Sequence, residues 1–254
     1  WLPIFPCWNS YTAAMIGDHC ISAISDAYCK GIRNFDVDKA YEGMRKNAFE
    51  TPSNLDEYKN GMGRRALTSY LEYGYIPLED GVPDAFHTKE QVSRTLEYAY
   101  DDWCIYQMAK VLNRPKKELK LFADRAMNYK NVFDKESLLM RGRNKDGQFQ
   151  APFSPLKWGD AFTEGNSWHY TWSVFHDVQG LVDLMGGKKM SAKGVRVEMD
   201  GDGIVVNLFI VVRYGSAIGD VAKKVQQMVR TALEGMTGFA VTAVNVHVGG
   251  ISFN

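Results

Sequence analysis

The use of amino acids along this chain changes abruptly near Met190. The last 64 of the 254 residues contain 13 of the 21 valines, whereas all six tryptophans and all eight prolines precede Ser191. Valine is a β-branched residue that favours strands, and the stretch before the change is compatible with helices. We therefore predict two structural units, residues 1–190 and residues 191–254, within a mostly α fold.

The charge and hydropathy of the chain exclude several kinds of partner. Thirty Lys and Arg residues balance thirty Asp and Glu residues, so no net field attracts nucleic acid or an anionic membrane. The longest apolar run, from Ile204 to Val212, is shorter than the roughly 18 to 20 residues that span a bilayer. We expect neither a nucleic-acid partner nor a transmembrane segment. The chain begins at Trp1 without a methionine, which indicates a fragment or a processed form.

Five stretches of the first unit place apolar residues at helical spacing. They are Cys20–Ile32, Val37–Phe49, Val92–Leu112, Leu119–Phe133 and Trp168–Met185. Asp36 can cap the second helix, and Asn113 with Pro115 separates the third helix from the fourth, so we predict helical hairpins. Between Arg141 and Asn166 the composition predicts a long loop, and such loops are commonly functional.

The second unit alternates apolar and polar residues as strands do. The predicted elements are a strand at Val195–Met199, a turn at Asp200–Gly203, a strand at Ile204–Tyr214, an amphipathic helix at Ile218–Ala232 and a strand at Val241–Val248. The first two strands form a hairpin, and one helix covers one face of the sheet. The predicted order is ββαβ, a small α+β unit.

The strongest chemical signal lies between Asp160 and Trp172, where Glu164 stands among aromatic residues just ahead of a helix. Sugars bind on aromatic rings, with a few carboxylates and amides for their hydroxyls. An apolar pocket would keep Glu164 protonated and ready to donate to a leaving glycosidic oxygen. The structural alternative is that Thr163 or Asn166 caps the helix and Glu164 only favours its N-terminus.

Other polar residues give weaker signals. Asp101 and Asp102 are adjacent on a helix and point about 100° apart, so we predict a solvent-facing pair, with one of them lining a cleft as the alternative. Asp18, followed by His19, is interpreted as the start of the first helix. Neither a zinc-binding histidine spacing nor a nucleotide-binding glycine fingerprint is present in the sequence.

Ordered motifs in residues 1–190 resemble those of glycoside hydrolase family 92, the calcium-dependent inverting exo-α-mannosidases. The matching motifs are Met15-Ile16-Gly17-Asp18-His19, Tyr28-Cys29-Lys30-Gly31, Gly74-Tyr75-Ile76-Pro77, Leu96-Glu97-Tyr98-Ala99-Tyr100-Asp101-Asp102-Trp103, Phe162-Thr163-Glu164-Gly165-Asn166 and His176-Asp177-Val178-Gln179-Gly180-Leu181. The resemblance implies part of an (α/α)₆ toroid, Glu164 as general acid, a calcium cofactor, a mannose-containing glycan as substrate, and export from the cell. The substrate contacts that we expect are Trp8, Asp18, His19, Trp103, Asn166 and Trp168.

The same resemblance implies segments that residues 1–190 do not contain. A β-sandwich and a Trp-Asp-Thr-Phe-Arg-like stretch would precede Trp1, and His-Gly-Asn-Glu-Pro and Asn-Asp-Asp-Cys-Gly segments would follow Met190. The last of these supplies the general base and helps to hold calcium in the family, so the metal ligands stay unknown here. An inverting glycosidase needs two carboxyl groups roughly 6.5 to 9.5 Å apart. We expect this chain to offer only the proton donor and to have negligible turnover.

Residues 191–254 resemble the C-terminal part of the alkaline-shock, envelope-stress proteins. The matching segments are Lys193-Gly194-Val195-Arg196-Val197-Glu198, Val211-Val212-Arg213-Tyr214-Gly215 and Val244-Asn245-Val246-His247-Val248. That resemblance implies a non-catalytic cytoplasmic scaffold with a protein partner, which is the alternative function. The two implied locations conflict, so the location of the joined chain stays open. Both families are interrupted at the join, which favours a recombined sequence, a chimera.

Overall fold

The computed structural model describes residues 1–7, 10–81, 88–186, 195–200, 203–237 and 239–252. The chain divides into two compact units, Trp1–Val178 and Gln179–Asn254. The predicted boundary at 190/191 and part of the predicted turn at Asp200–Gly203 lie outside the described residues. The exact position of the boundary therefore stays a prediction.

The first unit consists mainly of helices. These are α1 (Cys20–Cys29), α2 (Val37–Phe49), α3 (Leu55–Lys59), α4 (Leu67–Tyr73), α5 (Gln91–Val111), α6 (Lys116–Ala126) and α7 (Ser167–Tyr170), with a 3₁₀ helix at Met127–Val132. Two short antiparallel pairs add β1 (Pro6–Cys7) with β2 (Ser10–Tyr11), and β3 (Phe133–Asp134) with β4 (Leu139–Met140). Helix α8 (Val178–Leu184) begins where the first unit ends.

Helix α5 forms the centre of the first unit. Most of its 21 residues are buried, and it packs against α1, α2 and α6. Its side chains Ile105 and Met108 join a core cluster with Ile21, Met44 and Phe122, all of them inaccessible to solvent. A helix that is buried on most of its surface belongs in the interior of a domain. Polar residues on α5 are therefore held in fixed positions inside the protein.

The helix predictions are confirmed for four of the five stretches, with shifts at the ends. Helix α2 has the predicted bounds, and the Asp36 side chain accepts a hydrogen bond from the Lys39 N–H at 3.0 Å, as a cap does. The predicted loop between Arg141 and Asn166 contains no helix and none of the named strands, and all of it is described. The local sequence signals therefore decided these elements.

The fifth predicted helix, Trp168–Met185, is wrong. The structure divides it into α7 and α8, with no helix between them. The Thr171 hydroxyl accepts a hydrogen bond from the Met140 N–H at 3.0 Å, and the His176 ring is bonded to the Ala126 carbonyl at 2.7 Å. These long-range bonds replace the bonds of a continuous helix, and local periodicity does not report them.

A network of buried ion pairs joins the elements of the first unit. Arg64 contacts Asp18 at 3.1 Å and Asp102 at 2.7 Å, and all three side chains are fully buried. Arg125 donates to both carboxylate oxygens of Asp102, at 2.7 and 3.1 Å. The prediction that Asp101 and Asp102 face solvent is therefore wrong. Arginine partners supply the opposite charge that allows a carboxylate to be buried.

Substitution of Arg64 tests how much the buried ion pairs contribute to the stability of the protein. We expect Arg64→Met to lower the free energy of unfolding by about 3 to 5 kcal/mol, because the buried Asp18 loses its arginine partner and the buried Asp102 loses one of its two. Urea unfolding followed by circular dichroism measures the change.

The control for this substitution is Lys120→Met, which removes an exposed ion pair with Asp124. Exposed pairs contribute about 0 to 1 kcal/mol. Equal losses in the two variants would contradict a structural role for the network.

The second unit is a three-stranded sheet with one long helix. Its elements are β5 (Val195–Asp200), β6 (Gly203–Arg213), α9 (Ile218–Thr237) and β7 (Val241–Ser252). Strand β5 is antiparallel to β6, with Val197 opposite Val206, and β7 is parallel to β6. Val225 and Val229 of α9 pack on the buried residues of the sheet, Val206 among them. Within the described residues, no helix has the length and apolar character that crossing a membrane requires.

Candidate active site

An open cavity of about 600 Å³ lies in the first unit between α1, α5 and the segment around α7. Its lining combines ionisable side chains with aromatic rings. They are His19, Glu97, Glu164 and His169, together with Tyr100, Tyr170 and Phe175. Carboxylates beside aromatic rings are the combination that a sugar site needs, because hydroxyls require acceptors and apolar sugar faces require rings.

Glu164 reaches the cavity from a loop that is bonded to the start of α5. The Thr163 N–H donates to the Ser93 hydroxyl at 3.0 Å, and the Val92 N–H donates to the Ala161 carbonyl at 3.0 Å. Glu164 has a φ of 45°, in the left-handed region that non-glycine residues rarely adopt. Such strained positions occur where the surrounding structure holds a residue for a purpose. The Glu164 side chain is exposed rather than enclosed by rings.

His19 bridges two carboxylates at the cavity wall. Its Nδ1 lies 3.0 Å from Asp101 Oδ1, and its Nε2 lies 3.2 Å from Glu97 Oε2. The hydrogen bonds to Asp101 and Glu97 raise the pKa of His19 to about 10. Burial raises the pKa of Glu97, and the bond to His19 opposes that effect. The arrangement is a carboxylate, imidazolium and carboxylate in series.

The ion-pair network lies directly behind this series. Asp101 also accepts the Asp18 N–H at 2.8 Å, and Asp18 accepts the Asn47 amide at 3.0 Å. Burial raises the pKa of Asp18 to about 7, and the nearby Arg64 works against that rise. The cavity wall is therefore continuous with the buried charges that join α1, α2 and α5.

The predicted site residues separate into those that line the cavity and those that do not. Glu164 and His19 line it. Asp18 is fully buried and paired with Arg64 rather than capping α1 or facing a ligand. Trp103 packs against the core and stacks on Tyr100, and it does not line the cavity.

Two further predicted contacts are not among the residues that line the cavity. Asn166 caps α7, where its side chain accepts the His169 N–H and the His169 ring accepts the Asn166 N–H. The structural alternative is therefore right for Asn166. Trp168 is exposed on α7 and absent from the cavity lining. Trp8 lies outside the described residues.

Glu97 is the site residue that sequence reasoning missed. The predicted carboxylates of the site were Glu164 and Asp18, and the structure places Glu97 along the same cavity as Glu164. Glu97 and Asp101 are four residues apart on α5, which puts both on one helix face. The four-residue spacing of Glu97 and Asp101 was the signal in the sequence. It did not show that His19, which precedes α1, contacts both carboxylates.

The described residues do not form a metal site. They contain no group of three or more His, Cys, Asp or Glu side chains that could hold a metal ion. The charged groups of the cavity are instead paired with one another through His19. The residues described here therefore do not fit the calcium that the resemblance implies, and no step is assigned to it.

Comparison with known sequence families agrees with the cavity and the fold. The glycosyl hydrolase family 92 catalytic domain matches residues 1–196, and the alkaline-shock protein family, with a cell envelope-related function, matches residues 172–253. The class of protein is thus a glycosidase-type domain followed by an envelope-type unit. The chain belongs to glycosyl hydrolase family 92.

Individual relatives agree with both matches. An uncharacterized secreted glycosidase of Arthroderma benhamiae is 31% identical over 205 residues, which is 68% of this chain and 25% of that protein. The uncharacterized protein YqhY of Bacillus subtilis is 33% identical over 88 residues, which is 31% of this chain and 65% of that protein. The second unit thus has relatives of its own.

Solved structures show the same relation. The family GH92 α-mannosidase BT3965 of Bacteroides thetaiotaomicron, in complex with mannoimidazole, has a TM-score of 0.64 at 35% identity, with 75% of this chain and 24% of that chain covered. The family GH92 inverting mannosidase BT2199 of the same organism has a TM-score of 0.62 at 33% identity, with 83% and 26% covered. The chain spans about a quarter of the length of these glycosidase relatives.

The titration of His19 tests the geometry of the cavity wall. The pKa of His19 in the folded protein is above that of a free imidazole. The contribution of protonated His19 to the stability of the folded protein is therefore complete below about pH 6.5 and is lost as the pH rises through about 10. We expect Glu97→Gln to lower the His19 pKa, because one of its two carboxylate partners becomes neutral. NMR titration of the His19 ring protons measures this change.

The matched control is Glu118→Gln. Glu118 is about as buried as Glu97, but it is bonded to Tyr41 and Arg45 and does not line the cavity. The His19 pKa should stay unchanged in this variant. A His19 that titrates near 6.5 in the unsubstituted protein would show that the bridge does not form.

Proposed function

We propose that the first unit is an α-mannosidase-like domain that acts on terminal α-mannosides by inversion, with Glu164 as general acid. The observation that carries this proposal is the cavity of a family 92 chain that Glu164 lines together with Tyr100, Tyr170 and Phe175. The relatives named as mannosidases support the substrate class. The single sugar that such a cavity holds would be the terminal residue of a glycan.

The chemistry assigned to Glu164 is a proton transfer. As the bond between C1 and the glycosidic oxygen breaks, the Glu164 carboxyl gives its proton to that oxygen, and the alcohol leaves. A water molecule attacks C1 from the opposite face and loses its proton to a second carboxylate. The loop bonds at Ser93 and Val92 hold the donor, so that its position does not depend on the substrate.

Three finer features belong to this proposal. The helices of the first unit would form part of an (α/α)₆ toroid, calcium would bind with ligands other than those described here, and the domain would act outside the cytoplasm. The support is membership of family 92 and a relative that is named as secreted.

We also propose that turnover by this chain is very low. By the family resemblance the general base belongs to a segment after Met190, whereas the family 92 match ends at residue 196 and the match to the alkaline-shock protein family covers residues 172–253. Loss of a general base typically lowers the rate about 10² to 10⁴-fold. His19 pairs with Glu97, the other carboxylate of the cavity, and this bond opposes the rise in the Glu97 pKa that burial causes.

The rate that is lost when a general acid is removed depends on whether the leaving group needs a proton, and this dependence identifies the acid. We expect Glu164→Gln to lower the hydrolysis of an α-linked mannobiose about 10² to 10⁴-fold. The loss should be much smaller for 2,4-dinitrophenyl α-mannoside, because dinitrophenolate leaves without a proton. Long incubations with the protein in excess and with calcium present measure the slow rates.

The matched control in this assay is Glu118→Gln, which changes a carboxylate away from the cavity. Robust hydrolysis of the mannobiose that is unaffected by Glu164→Gln would overturn the assignment of the acid.

The second candidate function is a non-catalytic interaction role of the second unit, favoured by the match of residues 172–253 to the alkaline-shock protein family. Strand β7 lies at an edge of the sheet, and Val248 on it is exposed. Edge strands can pair with a strand of another protein, and a lysine on the edge opposes such pairing. A protein partner through residues 191–254 would therefore depend on this edge.

A pull-down with the full chain tests the second candidate. We expect a captured protein to be lost when Val248→Lys is the bait, because the added charge opposes strand pairing. Equal capture by both baits would contradict pairing at this edge.

A further inference from the structure

The bridge that His19 forms between Asp101 and Glu97 fixes the position of the Glu97 carboxylate. Asp101 has no exposed surface, and it accepts bonds from both the His19 ring and the Asp18 N–H. His19 in turn is 3.2 Å from Glu97 Oε2. Each member thus orients the next, and the series starts at a fully buried residue. Glu97 is the end of this series that lies at the cavity.

Gly17 provides the space in which His19 and Glu97 meet. A Cβ atom at Gly17 would overlap His19 Nε2 and Glu97 Oε2, which are the two atoms of the ion pair. Both atoms are the far ends of flexible side chains, so an added methyl group would displace the pair without requiring a backbone shift. The absence of a side chain at this position is what allows the pair to form.

The Glu97 carboxylate retains hydrogen-bonding capacity toward the cavity. An ionised carboxylate has about four acceptor sites, and the His19 ring uses one of them. The side chain is 18% exposed and lies beside the ring of Tyr100 in the cavity lining. Bonds from a hydroxyl to a carboxylate are shorter and stronger than those to a neutral acceptor.

We propose that Glu97 binds the sugar by accepting hydrogen bonds from two neighbouring hydroxyls, and that His19 is the positioning residue that holds Glu97 for this task. The inference rests on the proposed function, since the ligand is taken to be an α-mannoside. It assigns to Glu97 a role in binding that is separate from the proton transfer by Glu164. Aromatic rings of the same lining cover the apolar face of the sugar.

The alternative role for Glu97 is that of a base that activates water. A base must gain a proton during the reaction; burial raises the pKa of Glu97, and the imidazolium at His19 opposes that rise by stabilising the ionised carboxylate. Asp101 and Arg94 are the other charged groups that act on Glu97. An acceptor of hydroxyl bonds needs to stay ionised throughout, which suits this partner. Binding is therefore the role that the geometry favours.

The test is the affinity for methyl α-D-mannopyranoside, measured by ligand-observed NMR titration on the full chain. We expect Glu97→Gln and Gly17→Ala each to weaken binding by about 10-fold or more, because hydrogen bonds to a charged group are lost or misplaced. Glu118→Gln should bind as the unsubstituted protein does. Circular dichroism and the unfolding midpoint establish that each variant is folded.

The pH dependence of binding tests the positioning role of His19. In His19→Gln, burial is no longer opposed by an imidazolium, so Glu97 takes up a proton at a higher pH than before. We expect the affinity of this variant to fall more as the pH is lowered than the affinity of the unsubstituted protein does. A variant that loses affinity equally at every pH would contradict this role.

The outcomes separate the inference from the proposed function. If the unsubstituted protein binds the mannoside and Glu97→Gln binds equally well, Glu97 is not a sugar ligand, and the proposed α-mannoside site stands. If binding is unchanged but hydrolysis of mannobiose falls in Glu97→Gln, Glu97 is the base rather than a hydroxyl acceptor. If the unsubstituted protein does not bind the mannoside, the proposed site and the inference both fail.

Discussion

The pairing of Arg64 with two buried aspartates is the interaction on which the rest of the first unit depends. Asp18 precedes α1, Asp102 lies on α5, and Arg64 precedes α4, so one guanidinium ties three parts of the chain together. Buried charges are costly unless they are paired with good geometry, and each member of the network therefore requires the others. The same residues prevent α1 and α5 from shifting relative to each other.

The candidate active site uses this rigidity. Asp101 and Glu97 lie one turn apart on α5, next to the ion pairs, and His19 joins them from the start of α1. The loop that carries Glu164 is bonded to the N-terminal turn of the same helix at Ser93. Both carboxylates of the cavity are therefore positioned by one helix. Preorganised groups of this kind do not have to be rearranged when a ligand binds.

The two units of the chain match two protein families that differ in architecture. The family 92 part places carboxylates and rings around a cavity, whereas the part that matches the alkaline-shock protein family is a small sheet with exposed edges. The two family matches overlap between residues 172 and 196, so neither match ends cleanly at the change in composition. The second unit builds its own core from Val206, Val225 and neighbouring residues, which explains why it forms a compact unit.

The sequence by itself determined the elements that depend on local signals. Apolar spacing and the Asp36 cap specify α2, alternation specifies the strands around Val197 and Val206, and the motif around Glu164 indicates the family. Only the tertiary structure decided how the charged residues pair. Burial of Asp102, capping of α7 by Asn166, and the meeting of Glu97 with His19 all depend on contacts that the fold creates. Spacing along a sequence carries no information about such contacts, because it records only neighbours within a few residues.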